Sequence, residues 1–168
     1  MTDRIFLVPD SNTRIVIRSV ALQHIYAYAQ TRWHHSEAGG QIFSSTPHLS
    51  EIVVTQATGP HPPDKRSRHH FNPDPVAATN DRVTLFNQDL HAVGLWHTHP
   101  ERNPSPSGPD HEATLKYLAS FQGEMDGFLL LILGNSGTPL NLAVWLASER
   151  PIRTWVKLLE VSEQIGQL

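Results

Sequence analysis

Cysteine is absent from this 168-residue chain. That single absence excludes disulfides, thiolate nucleophiles and every cysteine-ligated zinc site. A metal, if there is one, has to be held by histidine, carboxylate or water. Long apolar runs are missing too: Phe128 to Leu133 is the most hydrophobic stretch, far short of the about 20 residues a spanning helix needs, so no membrane partner is expected. Met1-Thr2-Asp3-Arg4 opens an alternating strand pattern rather than a charged segment with a long apolar run, which argues against a secretory signal and leads us to expect a cytoplasmic protein. Nor does one sign of charge dominate. The formal net charge is -3 and the pI near 6.4, giving no global electrostatic reason to expect nucleic acid or an anionic membrane as partner. Internal repeats and linkers are lacking, so residues 1–168 read as one domain of ordinary size. With 39% hydrophobic and 17% charged residues the composition is that of a globular chain.

What the chain does have is histidine (11) and proline (13), unevenly placed. Arg4–Val8 and Thr13–Arg18 read as strands joined by a turn at Pro9–Asn12. Residues 19–32 carry Val20, Leu22, Ile25, Tyr26 and Ala29 at helical spacing. Ala38–Phe43 and Glu51–Thr55 read as a second strand pair, with Gly39-Gly40 marking a tight bend or a close backbone approach. Gly59–Pro75, rich in proline, lysine, arginine and histidine, reads as a long loop of the functional or mobile kind. A helix follows over Val76–Asp89, then a buried strand over His91–His97, a proline-rich loop over Pro100–Pro109 and a helix starting near Asp110. Phe128–Leu133 and Leu140–Ala147 read as strands flanking a Gly134–Gly137 turn, and Ile152–Val161 as a closing strand or helix. Strands interleaved with three helices give an α/β or α+β layer structure.

The chemistry concentrates in Trp96-His97-Thr98-His99-Pro100 and Ser107-Gly108-Pro109-Asp110. His97 and His99 are two apart at a strand end, so their imidazoles point to the same face. Asp110, in the first turn of the next helix, is placed for the loop to fold its carboxylate back as a third ligand. Two imidazoles, one carboxylate and an open fourth position make the ligand set of a catalytic zinc ion, although Mn, Co or Fe suit similar ligands. The bland alternative is an H-x-H pair on a surface strand and an Asp110 that merely caps a helix.

His97-Thr98-His99-Pro100, seven residues, Ser107 and then Asp110 resemble the signature of the JAMM, or MPN-plus, metallopeptidases. That family also has an upstream glutamate, and Glu37 in Ser36-Glu37-Ala38-Gly39-Gly40 occupies its place. The resemblance covers nearly the whole chain. It implies a cytidine-deaminase-like JAB/MPN α/β sandwich, a central mixed sheet flanked by helices, and one zinc ion per chain held by His97, His99 and Asp110. It implies a role for Glu37 as general base, passing the proton of a zinc-activated water to the leaving amine. Ser107 would donate to the tetrahedral oxyanion, although serine is also a preferred helix cap and both roles can coexist. Ala57-Thr58-Gly59-Pro60, Asp64–Arg68, Phe71 and Pro104–Ser107 narrow the resemblance to bacterial JAB-type deconjugating peptidases of CBASS and related ubiquitin-like antiphage operons. The implied substrate is a protein conjugate, a ubiquitin-like modifier or a conjugated cyclase, with E1/E2-like proteins as neighbours. Leu95 departs from that subgroup, where an acidic residue is expected.

Other histidines are weaker candidates. His34 and His35 fit either the cleft or a solvated helix end, and His111 is expected to point away along its helix. His61, His69 and His70 with Lys65, Arg66 and Arg68 are either a positive docking surface or a solvated loop. Trp96 and Trp145 read as core. Two other functions remain open at this level. One is a zinc amidase for a small sulfur-carrier protein or peptide, which needs no long loop. The other is a non-catalytic MPN scaffold, which needs no intact ligand set.

Overall fold

A computed structural model describes residues 1–149 and 152–161. Its elements are β1 (Arg4–Leu7), β2 (Arg14–Ile17), α1 (Ser19–Tyr26), β3 (Gly39–Ser44), β4 (Glu51–Ala57), β5 (Lys65–Ser67), β6 (His70–Asn72), α2 (Pro75–Phe86), β7 (His91–Thr98), α3 (Gly108–Ser120), β8 (Gly127–Gly137), β9 (Leu140–Ser148), β10 (Thr154–Lys157) and β11 (Leu159–Val161). Nine strands form one mixed sheet in the order β10-β9-β8-β7-β3-β4-β2-β1-β11, parallel at β2/β4 and β7/β8. The expected α/β sandwich with a central mixed sheet and flanking helices is what the chain adopts.

Leu158 alone separates β10 from β11, yet these strands lie at opposite ends of the sheet order. Two Cα steps span at most about 7 Å, so the two edges meet and the sheet rolls up. Arg4 ties this seam: its guanidinium donates twice to Glu160 (2.6 and 2.7 Å) and also to Leu140 O and Tyr26 Oη, each at 2.7 Å.

Side-chain alternation sorts the core into two sides. Leu129, Leu131 and Leu133 of β8 join Trp96, Ile15, Ile17 and the buried face of α1. Phe128, Leu130 and Ile132 point the other way, with Leu95, toward Leu118 of α3. Between Ala92 and Gly94 one extra residue of β7, Val93, bulges against β3. A bulge of this kind shifts the alternation and re-aims the later side chains of the strand. Trp96 then points to the α1 side, and Leu95 and His97 to the α3 side.

Several expected boundaries move. α1 ends at Tyr26, not residue 32, because Tyr28 and Ala29 close tighter i→i+3 bonds and the chain leaves the helix axis. Gly59–Pro75 is not structureless: it contains the β5–β6 hairpin, paired Lys65↔Asn72, Arg66↔Phe71 and Ser67↔His70. Strands of three residues, charged or solvent-facing, carry no alternation to read. β8 runs on to Gly137, and the turn falls at Thr138-Pro139. Gly134 sits against the proline-rich loop, where a Cβ would lie 2.8 Å from Glu101 O, and Asn135 N–H donates to the same carbonyl. The glycine thus admits a loop approach rather than marking the turn. Ile152–Val161 resolves as strand, and α3 starts at Gly108 with Ser107 as its cap. Among the described residues no helix is long and apolar enough to cross a membrane.

Candidate active site

His97 is the second-last residue of β7 and His99 follows the strand, its N–H bonded to Leu133 O at 2.9 Å, so the strand direction continues through both imidazoles. Asp110 arrives on the first turn of α3. Ser107 accepts from Asp110 N–H (3.3 Å), while Asp110 Oδ2 accepts from Ser107 N–H and Oγ–H (2.7 Å each), a reciprocal capping box that fixes the carboxylate. Pro109 in the first turn suits a helix start.

These elements bring the residues singled out in the sequence together. His99 Nε2 lies 3.5 Å from Asp110 Oδ2 and His97 Nε2 3.9 Å from Asp110 Oδ1. Glu37 closes the group from the far side, with Oε1 3.7 Å from His97 Nδ1 and 3.8 Å from His99 Nε2. All four side chains are buried. Burial alone would raise the Asp110 pKa. The His99 and His97 imidazoles and the two Ser107 bonds outweigh it and hold this carboxyl well below the usual range. Burial likewise opposes charge on His99, yet the carboxylates of Asp110, Glu37 and Glu101 win and raise its pKa.

The donor chemistry fits a zinc-like cation. Tetrahedral ligation with bonds near 2.0–2.1 Å puts neighbouring donors about 3.3–3.4 Å apart, against the 3.5 and 3.9 Å found here. Among the described residues no three such side chains are already closed into a metal-holding cluster. His97 Nδ1, on the opposite side of the ring from Asp110, is buried without a hydrogen-bond partner among the described residues, with Glu37 Oε1 3.7 Å away.

The remaining candidates divide. His35 bonds Ala29 O through Nδ1 (2.9 Å) and, with His34, lines a cleft on the far side of the Glu37 segment. His111 stacks on Trp155 at 4.2 Å, away from the group. Trp96 is fully buried and donates to Thr58 O, and Trp145 packs against the α3-side core. The charged side chains of the 59–75 segment are partly engaged within the fold. His61 pairs with Asp81 at 2.7 Å, Arg66 donates to Glu37 O (2.7 Å), and Arg68 donates to Arg32 O and Trp33 O. Phe71 of β6 sets its ring edge-on to His97 at 5.7 Å. The hairpin thereby walls a groove of about 290 Å³ that runs from His97 and Asp110 past Gly39 toward Tyr117 of α3. Leu95 lies in its floor against Leu118 and Phe128, where an acidic side chain would be buried in an apolar cluster. Gly39 and Gly40 mark a close approach: a Cβ on Gly40 would lie 1.8 Å from Thr58 O.

Sequence reasoning missed Gln30. This amide is almost fully buried between the Glu37 segment, the hairpin and Thr98. A polar residue closing an apolar helical run was the only available signal.

The class that this fold and site define agrees with the comparisons. Residues 19–150 match the family described as prokaryotic homologs of the JAB domain, and the chain belongs to that family. A protein named CD-NTase/cGAS isopeptidase from Pseudomonas aeruginosa (strain BWHPSA011 / Pa011) is similar to it, 34% identical over 104 residues that cover 60% of this chain and 65% of that one. The match thus spans slightly less than two thirds of that relative. Another protein of the same name, from Escherichia coli (strain TW11681), is 29% identical over 115 residues, 64% of this chain and 69% of that one. Among solved structures, a protein from Desulfitobacterium hafniense matches with a TM-score of 0.58 and 15% identity over 87% of this chain and 88% of that one, a likeness of fold alone.

Proposed function

We propose that this chain is a zinc-dependent isopeptidase that cuts the C-terminus of a conjugated protein, of the CD-NTase/cGAS class or a ubiquitin-like modifier, from a target amine. The observation that carries this reading is the convergence of His97, His99, Asp110 and Glu37 within 3.5–3.9 Å at the head of a groove. His97, His99 and Asp110 would hold one zinc ion per chain. When bound, zinc acidifies a water and polarises the scissile carbonyl.

The chain's own residues supply the rest. Glu37 takes a proton from the attacking water as its oxygen adds to the carbonyl carbon. It then returns that proton to the leaving nitrogen, which departs with the C–N electron pair. The products are a free C-terminal carboxylate and an amine. Ser107, whose hydroxyl now donates to Asp110, would turn to donate to the tetrahedral oxygen. The groove beneath the β5–β6 hairpin has room for an extended tail, which favours a protein substrate over a small amide. The names of the two relatives support a CD-NTase/cGAS conjugate as substrate; E1/E2-like proteins would be the source of that conjugate.

The test is incubation with a lysine-linked conjugate of such a protein. Cleavage is expected, abolished by a chelator and restored by added zinc. Cleavage unaffected by chelation would contradict the metal, and an uncut conjugate would contradict the substrate class.

A further inference from the structure

Glu37 and His99 both lie outside the helices and strands, but His99 N–H still bonds Leu133 O of β8, whereas Glu37 has no such partner in the nine-stranded sheet among the described residues. Residues 35–38 belong to no helix or strand, so no regular ladder fixes the carboxylate. Its backbone is held instead by two consecutive hairpin residues. Glu37 N–H donates to Ser67 O at 2.7 Å, and Arg66 Nε–H donates to Glu37 O at 2.7 Å. The Arg66 guanidinium also lies 5.9 Å over the Tyr28 ring, which limits its own freedom.

A second clasp lies beneath. The Gln30 amide donates to Arg68 O (2.8 Å) and His35 O (3.2 Å), and its oxygen accepts from Thr98 Oγ–H (3.2 Å). Thr98 Oγ in turn accepts from Ala38 N–H at 2.9 Å. Every bond in this chain has a consistent donor and acceptor, and bonds polarise one another in such a buried series. One amide therefore joins the hairpin, the stretch leading to Glu37, and the residue between His97 and His99.

We propose that Gln30 and Arg66 are positioning residues: they lock the Glu37 segment, the His97-Thr98-His99 strand end and the β5–β6 hairpin into one unit, and so set where the base stands. The same hairpin carries Phe71 against His97 and walls the groove. A tail that orders the hairpin also orders the base, which places part of its binding energy in turnover rather than in affinity. The kinetic side of this inference rests on the isopeptidase reading; the structural side does not.

The test uses the full chain as Arg66→Ala, Arg66→Lys and Gln30→Met, the last keeping volume while removing every bond of the amide. Amide hydrogen exchange is measured across residues 35–38, with zinc content and steady-state kinetics on the conjugate. Arg66→Ala and Gln30→Met are expected to speed exchange at Glu37 and Ala38 by about tenfold or more. In both, kcat should fall by about tenfold or more with KM within about twofold and zinc retained, because small misplacements of a catalytic group cost that much. Arg66→Lys, which keeps one donor, should recover part of the rate. Wild-type exchange at 35–38 in both variants, or a kcat within about twofold of wild type in both, would overturn the proposal. A wild-type chain that cuts no conjugate would instead sink the isopeptidase reading, leaving the exchange result to decide this one.

Discussion

The two halves of the site are held by different means. His97 stands in β7 registered against β8, His99 just beyond that strand with its N–H still bonded to Leu133 O, and Asp110 on a helix start closed by a capping box. Glu37 stands on irregular chain, secured by side chains from positions 30 and 66. The first half is local in sequence and specified by spacing. The second depends on contacts between segments 29 to 68 residues apart, and only folding assembles it. The halves should therefore fail differently: damage to the first removes the metal, and damage to the second leaves metal bound but turnover slow.

The largest effect is expected at the half proposed to hold the metal. His97→Ala or Asp110→Ala should lower turnover by about 10³-fold or more, measured as conjugate cleavage, since no protein group replaces the lost metal chemistry. Glu37→Gln comes next, with turnover down about 10²–10⁴-fold and thermal stability near wild type, the signature of a lost general base. Gly40→Ala tests the joint between the halves. Its Cβ would meet Thr58 O at 1.8 Å, an overlap only backbone movement relieves. A loss of about 1–3 kcal/mol in chemical denaturation is expected, the range for overpacking. Ser107→Ala should be smallest in stability, about 1 kcal/mol for a lost cap. A turnover loss of about 10²-fold beyond that would mark the oxyanion role, whereas unchanged turnover would assign Ser107 to capping alone.

The same division explains how much was legible beforehand. His97-Thr98-His99 and Ser107–Asp110 could be read because two-residue alternation and a cap-to-helix spacing are local rules. The sheet strands rich in Ile, Val and Leu were readable for the same reason, with boundaries off by a few residues. The β5–β6 hairpin was not, because Lys65-Arg66-Ser67 is solvent-facing and carries no apolar alternation. Its arginines carry the charge of a docking surface, yet their long side chains are bonded to the backbone of residues 32–37. Gln30 was invisible because its partners, Arg68 and Thr98, lie 38 and 68 residues away. Nor could spacing reveal that Val93 bulges and so decides which way His97 points.

The central claim is that His97, His99 and Asp110 hold the metal while Glu37 acts on the substrate water without holding it. Zinc per chain, measured by elemental analysis on wild type, His97→Ala, Asp110→Ala and Glu37→Gln after gel filtration, tests it most directly. About one zinc is expected in wild type and in Glu37→Gln, and close to none in the other two. Full zinc in His97→Ala and Asp110→Ala, or a wild type that takes up none, would contradict the account.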